Sequence, residues 1–360
     1  MKTILVSCSV SGEEFEGFEE LSLLARTADY EVVGTLTQSR GIPDKTYYIG
    51  KGKAEELKNL IAETGAGTVI FDNGLTGSQF NNLEDFLGVD VIDRATLILQ
   101  IFAKHATSNE GKLQVDLAIK KHNMPRAMNR TLTLSRQGGG GAGGGGARRG
   151  GGEQMLELNR RTIREEIRDL QERLDKLANE RDLRRKKRRD NRIKSVCIVG
   201  YTNAGKSALM NRLIKADVLE EDKLFATLDP VSRKLWLAPN KEFILTDTVG
   251  FISRLPHEFI EAFKSTLEET KYADLILHVV NLRSNNIVKE YDVVNEVLKS
   301  LGASDIPVIT LLNKHDIAHS DIIPTGENVI FTSAKTGEGL DLLKDKISYI
   351  LFGESISWEE

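Results

Sequence analysis

Cysteine is almost missing. Cys8 and Cys197 are the only two in 360 residues; they lie far apart inside apolar runs and read as buried thiols, which excludes a disulfide framework and cysteine-based metal sites. Long hydrophobic runs are also missing, since no stretch approaches the ~20 apolar residues of a membrane-spanning helix. The opening Met1-Lys2-Thr3-Ile4-Leu5-Val6 runs straight into a strand-like segment, without the longer apolar core and cleavage site of a secretory signal. A chain that stays in the cytosol is expected. The six histidines show no ligand spacing, so His105, His122 and the rest read as surface or satisfied polar residues. A strong charge balance is absent as well: the formal net charge is −4, which argues against a generic nucleic-acid binder. Positive charge is nonetheless concentrated mid-chain, in Arg184-Arg185-Lys186-Lys187-Arg188-Arg189 with Arg192 and Lys194 beyond and Arg148-Arg149 upstream. Taken alone, that run reads as a solvated helix face.

The length suits about two domains. Strand-like runs at Thr3–Ser7, Glu31–Thr37, Thr68–Phe71 and Val89–Ile92 alternate with segments at helical apolar spacing, which predicts an α/β domain. A helical stretch from Arg94 to about Arg126 follows, interrupted by Thr107–Gly111 and stopped by Pro125. Residues 138–152 are glycine apart from Ala142, Ala147, Arg148 and Arg149, a tract with no side chains for a core and the composition of a flexible linker. Leu156, Ile163, Ile167, Leu170, Leu174 and Leu177 then form a heptad seam on a helix from about Glu153 to Asn191, ending where the basic run begins. One apolar stripe needs a partner, either the Arg94–Arg126 helix folded back as an antiparallel hairpin or a second copy of the chain. The expected division is 1–137 for the N-terminal α/β domain and first hairpin helix, 138–152 for the loop at the hairpin tip, 153–191 for the second helix, 192–352 for a nucleotide-binding domain, and 353–360 for a tail.

In that last domain strands are expected at Ser195–Val199, Phe243–Thr246, Leu275–Val280, Val308–Leu312 and Val329–Thr332, with Arg233–Leu237 as an antiparallel edge strand. The result is a mixed, mostly parallel sheet. Gly200-Tyr201-Thr202-Asn203-Ala204-Gly205-Lys206-Ser207, followed by Ala208 in helix-forming sequence, is the G-x-x-x-x-G-K-S phosphate loop: backbone N–H groups cradle phosphate, Lys206 reaches the β- and γ-phosphates and the Ser207 hydroxyl ligates Mg²⁺. Asp247-Thr248-Val249-Gly250 is D-x-x-G, a carboxylate holding Mg²⁺ through water and a glycine N–H that senses the γ-phosphate. Asn313-Lys314-His315-Asp316 fits N-K-x-D, in which the Asp316 carboxylate accepts two donors that guanine has and adenine lacks. Ser333-Ala334-Lys335 completes the base pocket. Phe225-Ala226-Thr227-Leu228-Asp229 stands where a switch threonine completes the Mg²⁺ shell, a role assigned to Thr227. The motifs together predict a P-loop GTPase whose catalytic set is Lys206, Thr227 and Gly250. Phe251 occupies the position where many GTPases keep a water-orienting glutamine, which implies slow hydrolysis without a partner. Asn203 is the residue type that holds K⁺ beside the phosphates in some GTPases, a second cofactor assignment. Lys51-Gly52-Lys53 is too short for a phosphate loop and reads as a turn.

The strings at 200–207, 224–230 (Leu-Phe-Ala-Thr-Leu-Asp-Pro) and 247–252 (Asp-Thr-Val-Gly-Phe-Ile) resemble the HflX family of translational GTPases. The resemblance extends upstream through Ile49–Leu57, Glu110–Val115 and Ser135–Gly140. It implies association with the 50S ribosomal subunit and its rRNA, dissociation of stalled or idle ribosomes, a monomer, and some tolerance of ATP. It also recasts Arg148, Arg149 and the basic residues Arg184, Arg185, Lys186, Lys187, Arg188 and Arg189 as RNA contacts. The chain departs from the family in its nearly pure glycine tract, in Asn281 where aspartate is usual, and in stopping soon after the GTPase domain, as a short form would. A non-ribosomal RNA-binding switch is the competing reading.

Overall fold

The computed structural model describes residues 1–10, 15, 17–137, 149–191, 193–214, 225, 230–239, 241–253, 264–316, 324 and 326–355. They fall into two compact units, Met1–Lys104 with Lys112–Leu174, and His105–Gly111 with Asp175–Glu360.

The first unit is built on a four-stranded sheet of order β2-β1-β3-β4, from β1 (Lys2–Val10), β2 (Glu31–Arg40), β3 (Thr68–Phe71) and β4 (Asp90–Asp93), every neighbouring pair parallel. Helices α1 (Glu19–Thr27), α2 (Lys51–Thr64) and α3 (Gly77–Leu87) make the three connections, and α4 (Arg94–His105) follows β4. Ile4, Val6, Val69, Phe71 and Val91 on alternate strand positions share one core with Ala54, Leu57 and Ile61 of α2 and Phe80 and Leu83 of α3. Thr76 and Gln79 close a capping box at the start of α3. Lys51-Gly52-Lys53, expected as a turn, is the first turn of α2, with Gly50 as its N-cap.

Two long helices follow, α5 (Asn109–Gln137) and α6 (Arg149–Asp190). The Arg94–Arg126 stretch is a broken pair, α4 then α5, interrupted at the expected polar segment. Pro125 does not stop α5, which runs through it to Gln137; Pro125 is exposed, so the Lys121 carbonyl it leaves without an amide partner can turn to water. Gly150–Gly152 of the glycine tract are helical, because α6 extends upstream from Glu153 at one added hydrogen bond per residue. Lys120 Nζ donates to Glu166 Oε2 at 2.8 Å in the first unit, and Arg181 pairs with Glu110 in the second. Burial on α6 follows the seam through Ile163, Ile167, Leu170, Leu174 and Leu177. The seam does not end at the basic run: Arg181 and Arg185 continue it at helical spacing, their charges matched by carboxylates.

The second unit holds a six-stranded sheet of order β10-β9-β8-β5-β7-β6, from β5 (Lys194–Gly200), β6 (Val231–Ala238), β7 (Lys241–Asp247), β8 (Leu275–Asn281), β9 (Val308–Asn313) and β10 (Val329–Phe331). All neighbours are parallel except β6 and β7. The central strands β5, β8 and β9 are apolar almost throughout because helices cover both faces. Leu209, Met210 and Leu213 of α7 (Lys206–Ile214) and Leu340, Leu343 and Ile347 of α10 (Leu340–Phe352) pack on one face. Leu267 of α8 (Lys264–Lys271) and Val294 and Leu298 of α9 (Ile287–Ser300) pack on the other. The fold is therefore α/β in both units, with a mixed, mostly parallel sheet in the second. No helix among the described residues is long and apolar enough to cross a membrane.

Candidate nucleotide site

The four motifs follow the carboxyl ends of β5, β7, β9 and β10. β5 has β7 on one side and β8 on the other, so connections leave it in opposite directions and open a crevice above its end, where open α/β sheets bind ligands.

The loop after β5 folds over its own lysine. Lys206 is 7% exposed and its Nζ donates to the carbonyls of Gly200 at 3.1 Å and Tyr201 at 2.8 Å. Burial lowers its pKa to about 8, with the Asp247 charge pulling the other way. Ser207 Oγ donates to Asp247 Oδ2 at 2.7 Å, which joins the first helical turn of α7 to the end of β7. Gly250 lies against the phosphate loop: a Cβ there would stand 2.9 Å from Lys206 Nζ and from Thr202 Cγ2, so the close approach of D-x-x-G requires glycine. The next residues zip onto the loop. Thr202 N donates to Phe251 O at 2.7 Å, Phe251 N to Gly200 O at 3.1 Å, and Ser253 N to the Tyr201 hydroxyl at 2.7 Å. Phe251 is 3% exposed and packs with Val199, Leu267 and Ile276; it is a core side chain with no means of orienting water. Thr248 and Val249 are buried, and the Thr248 hydroxyl donates to Ile198 O at 2.7 Å, so these two offer a ligand only their backbone.

On the base side, Asn313 ties three motifs together. Its Nδ2 donates to Ala204 O at 2.8 Å and its Oδ1 accepts from Ala334 N at 3.0 Å. A Cβ on Gly205, whose φ is +92°, would meet that Nδ2 at 2.3 Å. Lys314 Nζ donates to Asn203 O at 3.0 Å, and both residues have positive φ. His315 is held by Thr332 O at 3.2 Å and lies beside Glu338 and the Phe331 ring. Asp316 and Lys335 are exposed and Ser333 is buried, its hydroxyl accepting from Thr336 N at 3.1 Å. Ala208 continues the phosphate-loop helix, and Phe225 is buried; Ala226, Thr227, Leu228 and Asp229 lie outside the described residues.

Two side chains differ from their sequence reading. His278, on β8, is 1% exposed and stacks on Tyr291 at 4.9 Å, and burial, reinforced by the Lys206 charge, lowers its pKa to about 4. It is neither surface nor satisfied, since its Nδ1 has no hydrogen-bond partner among the described residues. The signal was its place in the middle of an otherwise apolar parallel strand. Arg185, assigned to RNA, is turned inward and 6% exposed, where its carboxylate partners leave it unavailable to phosphate. Lys186 and Lys187 are exposed. Arg148 and the side chains of Arg149, Arg184, Arg188 and Arg189 lie outside the described residues. No group of three or more His, Cys, Asp or Glu that could hold a metal occurs among the described residues.

A lysine-bearing phosphate loop, a D-x-x-G segment packed on it and an N-K-x-D loop braced to both, on a mixed sheet, define a P-loop GTPase. Family models agree along the chain: residues 16–103 match a GTP-binding GTPase N-terminal domain, 105–188 a GTP-binding GTPase middle region and 195–314 a 50S ribosome-binding GTPase. The GTPase HflX of Caldanaerobacter subterraneus subsp. tengcongensis is 50% identical over 355 residues, 98% of this chain and 81% of that protein. The GTPase HflX of Escherichia coli is 40% identical over 349 residues, 95% of this chain and 80% of that protein. The chain belongs to the HflX family of GTPases. A crystal structure of a GTP-binding protein from the archaeon Sulfolobus solfataricus in complex with GDP resembles it with a TM-score of 0.51 and 26% identity, over 98% of this chain and 99% of that one.

Proposed function

We propose that this chain binds and hydrolyses GTP at the β5–β7–β9 crevice and does so on the 50S ribosomal subunit, where nucleotide state controls attachment and the dissociation of stalled or idle ribosomes. The observation that carries the reading is the mutual bracing of Lys206, Ser207, Asp247, Gly250 and Asn313 around one loop, in a chain whose relatives are GTPases and whose 195–314 segment matches a ribosome-binding family. Ser207 and Asp247 offer hard oxygen donors 2.7 Å apart, a set that fits Mg²⁺, with Thr227 as the further ligand. The ion would neutralise charge on the phosphates. Lys206 exchanges its two loop carbonyls for phosphate oxygens, and the Gly250 N–H meets the γ-phosphate. Asp316, open to solvent, reads the guanine edge, with Ser333, Ala334 and Lys335 closing the pocket.

Because Phe251 is committed to the core, no side chain at that position aligns the attacking water, and hydrolysis is slow until a partner completes the site. The exposed Lys186 and Lys187, with Arg148, Arg149, Arg184, Arg188 and Arg189, supply salt-dependent contacts to rRNA phosphates. Asn203 holds K⁺ beside the phosphates; equal hydrolysis rates in KCl and NaCl would remove that assignment. The deciding experiment is GTP turnover with and without 50S subunits, beside Lys206→Ala. Stimulation by 50S that the variant lacks supports the reading. A rate indifferent to ribosomes, with no cosedimentation, moves the partner to a non-ribosomal RNA.

A further inference from the structure

Arg185 sits in a run of six basic residues, yet helical phase removes it from that surface. Its side chain is 7% exposed; Nε donates to Glu269 Oε1 at 3.0 Å, and Nη1 to Asp182 Oδ1 at 3.1 Å and Glu268 Oε2 at 3.4 Å. The guanidinium also lies over the Tyr272 ring, 4.7 Å from its centroid. Glu268 and Glu269 belong to α8, and Tyr272 follows it directly. A desolvated guanidinium between two carboxylates and an aromatic face is geometrically demanding, and removing one partner leaves buried charge behind.

α8 reaches the nucleotide site from its other side. Leu267, next to Glu268, is 3% exposed and packs in one cluster with Phe251, Val199 and Ile276. Phe251 in turn bonds through its backbone to Gly200 and Thr202 and follows Gly250, which lies against Lys206. A contiguous path therefore runs from Arg185 through α8, Leu267 and Phe251 to the phosphate loop. We infer that Arg185 is a positioning residue for nucleotide turnover, a clamp that sets α8 and, through it, the D-x-x-G segment. The inference rests on the GTPase reading of that site. A γ-phosphate that draws on the Gly250 N–H must shift the segment attached to α8, and so bears on the clamp. By linkage, a ligand that moves α6, such as an RNA phosphate on the neighbouring Lys186 and Lys187, changes nucleotide affinity by the same factor.

The test measures dissociation of fluorescent GDP and of a fluorescent non-hydrolysable GTP analogue from the full chain, with melting temperature alongside. Arg185→Ala, Arg185→Lys, Tyr272→Ala, Glu269→Ala and the Arg185→Ala/Glu269→Ala double variant are compared. Arg185→Ala is expected to change the ratio of the two release rates by about fivefold or more, Arg185→Lys to recover part of it, and the double variant to be no worse than the worse single one. If Arg185→Ala does not fold, Tyr272→Ala carries the comparison, because Tyr272 is 47% exposed. Wild-type release ratios in the folded variants, whatever their melting temperatures, or additive effects in the double variant, would overturn the inference. A wild-type chain that binds no guanine nucleotide would instead overturn the GTPase reading.

Discussion

The two α/β units use the same architecture to different ends. Each delivers polar residues to the carboxyl ends of parallel strands. In the N-terminal unit those residues satisfy one another: Asp72 accepts from Arg94 Nη1 at 2.7 Å, Glu20 takes the other side of the same guanidinium, and the Asn73 amide bonds both Cys8 N and Cys8 O, at 2.8 and 3.0 Å. Asp93 accepts from Thr96 N at 2.8 Å at the start of α4. In the nucleotide unit much of the bracing runs through backbone, with Asn313 holding Ala204 O and Ala334 N, while Lys206 rests on carbonyls of its own loop and Asp316 is open to solvent. A strand-end cluster becomes a strut where its groups consume one another. It becomes a site where backbone holds them and a ligand can replace their bonds.

The largest expected effect sharpens that contrast at its open end. Asp316→Ala removes the carboxylate that tells guanine from adenine, and the ratio of GDP to ADP affinity should fall by about 10⁴; an unchanged ratio would show that the base is read elsewhere. The closed end should answer in stability. Arg94→Ala strands two carboxylates beside a buried position and should cost ~3–5 kcal/mol, seen as faster hydrogen exchange in β3 and β4 with GDP affinity held within about twofold. Loss of GDP binding with exchange protection intact would break the comparison.

His278 gives a smaller effect within the nucleotide unit. Its folded pKa of about 4 lies below the ordinary 6.5, so between those values the unfolded chain binds the extra proton. Stability then falls as the pH drops from 6.5 to 4, by about 3 kcal/mol from this group, and is flat in this term above 6.5. His278→Phe should flatten the profile over that window in urea unfolding. Parallel profiles for the two proteins would assign the acid sensitivity to other groups.

The strands were legible because parallel sheets covered on both faces demand continuous apolar runs, and Val196–Val199 or Leu275–Val280 can be little else. The phosphate loop, D-x-x-G and N-K-x-D were legible because each is local, a few consecutive residues at a strand end. What escaped was relational. Arg185 could have been caught by carrying the Leu170-Leu174-Leu177 spacing past the first charged residue, but a pattern restricted to apolar residues ended there. Helix α5 passes through Pro125, which stands at an exposed position, and exposure is a property of the fold. The Tyr201 hydroxyl meets Ser253 N across 52 residues that no spacing rule connects.

The smallest effect tests the open end most directly. With a folded pKa of about 8 in the absence of nucleotide, Lys206 is mostly charged at pH 7 and mostly neutral at pH 8.5. Phosphate oxygens replacing the Gly200 and Tyr201 carbonyls favour the ammonium, so nucleotide binding above pH 8 must take up a proton. At pH 8.5 the uptake should be about three-quarters of a proton, and GDP affinity should weaken roughly fourfold between pH 7 and pH 8.5. Calorimetric titration in buffers of different ionisation enthalpy reads the proton count. Uptake near zero at pH 8.5 would mean that the buried ammonium keeps its charge without phosphate, and Lys206 would then be as self-satisfied as Arg94.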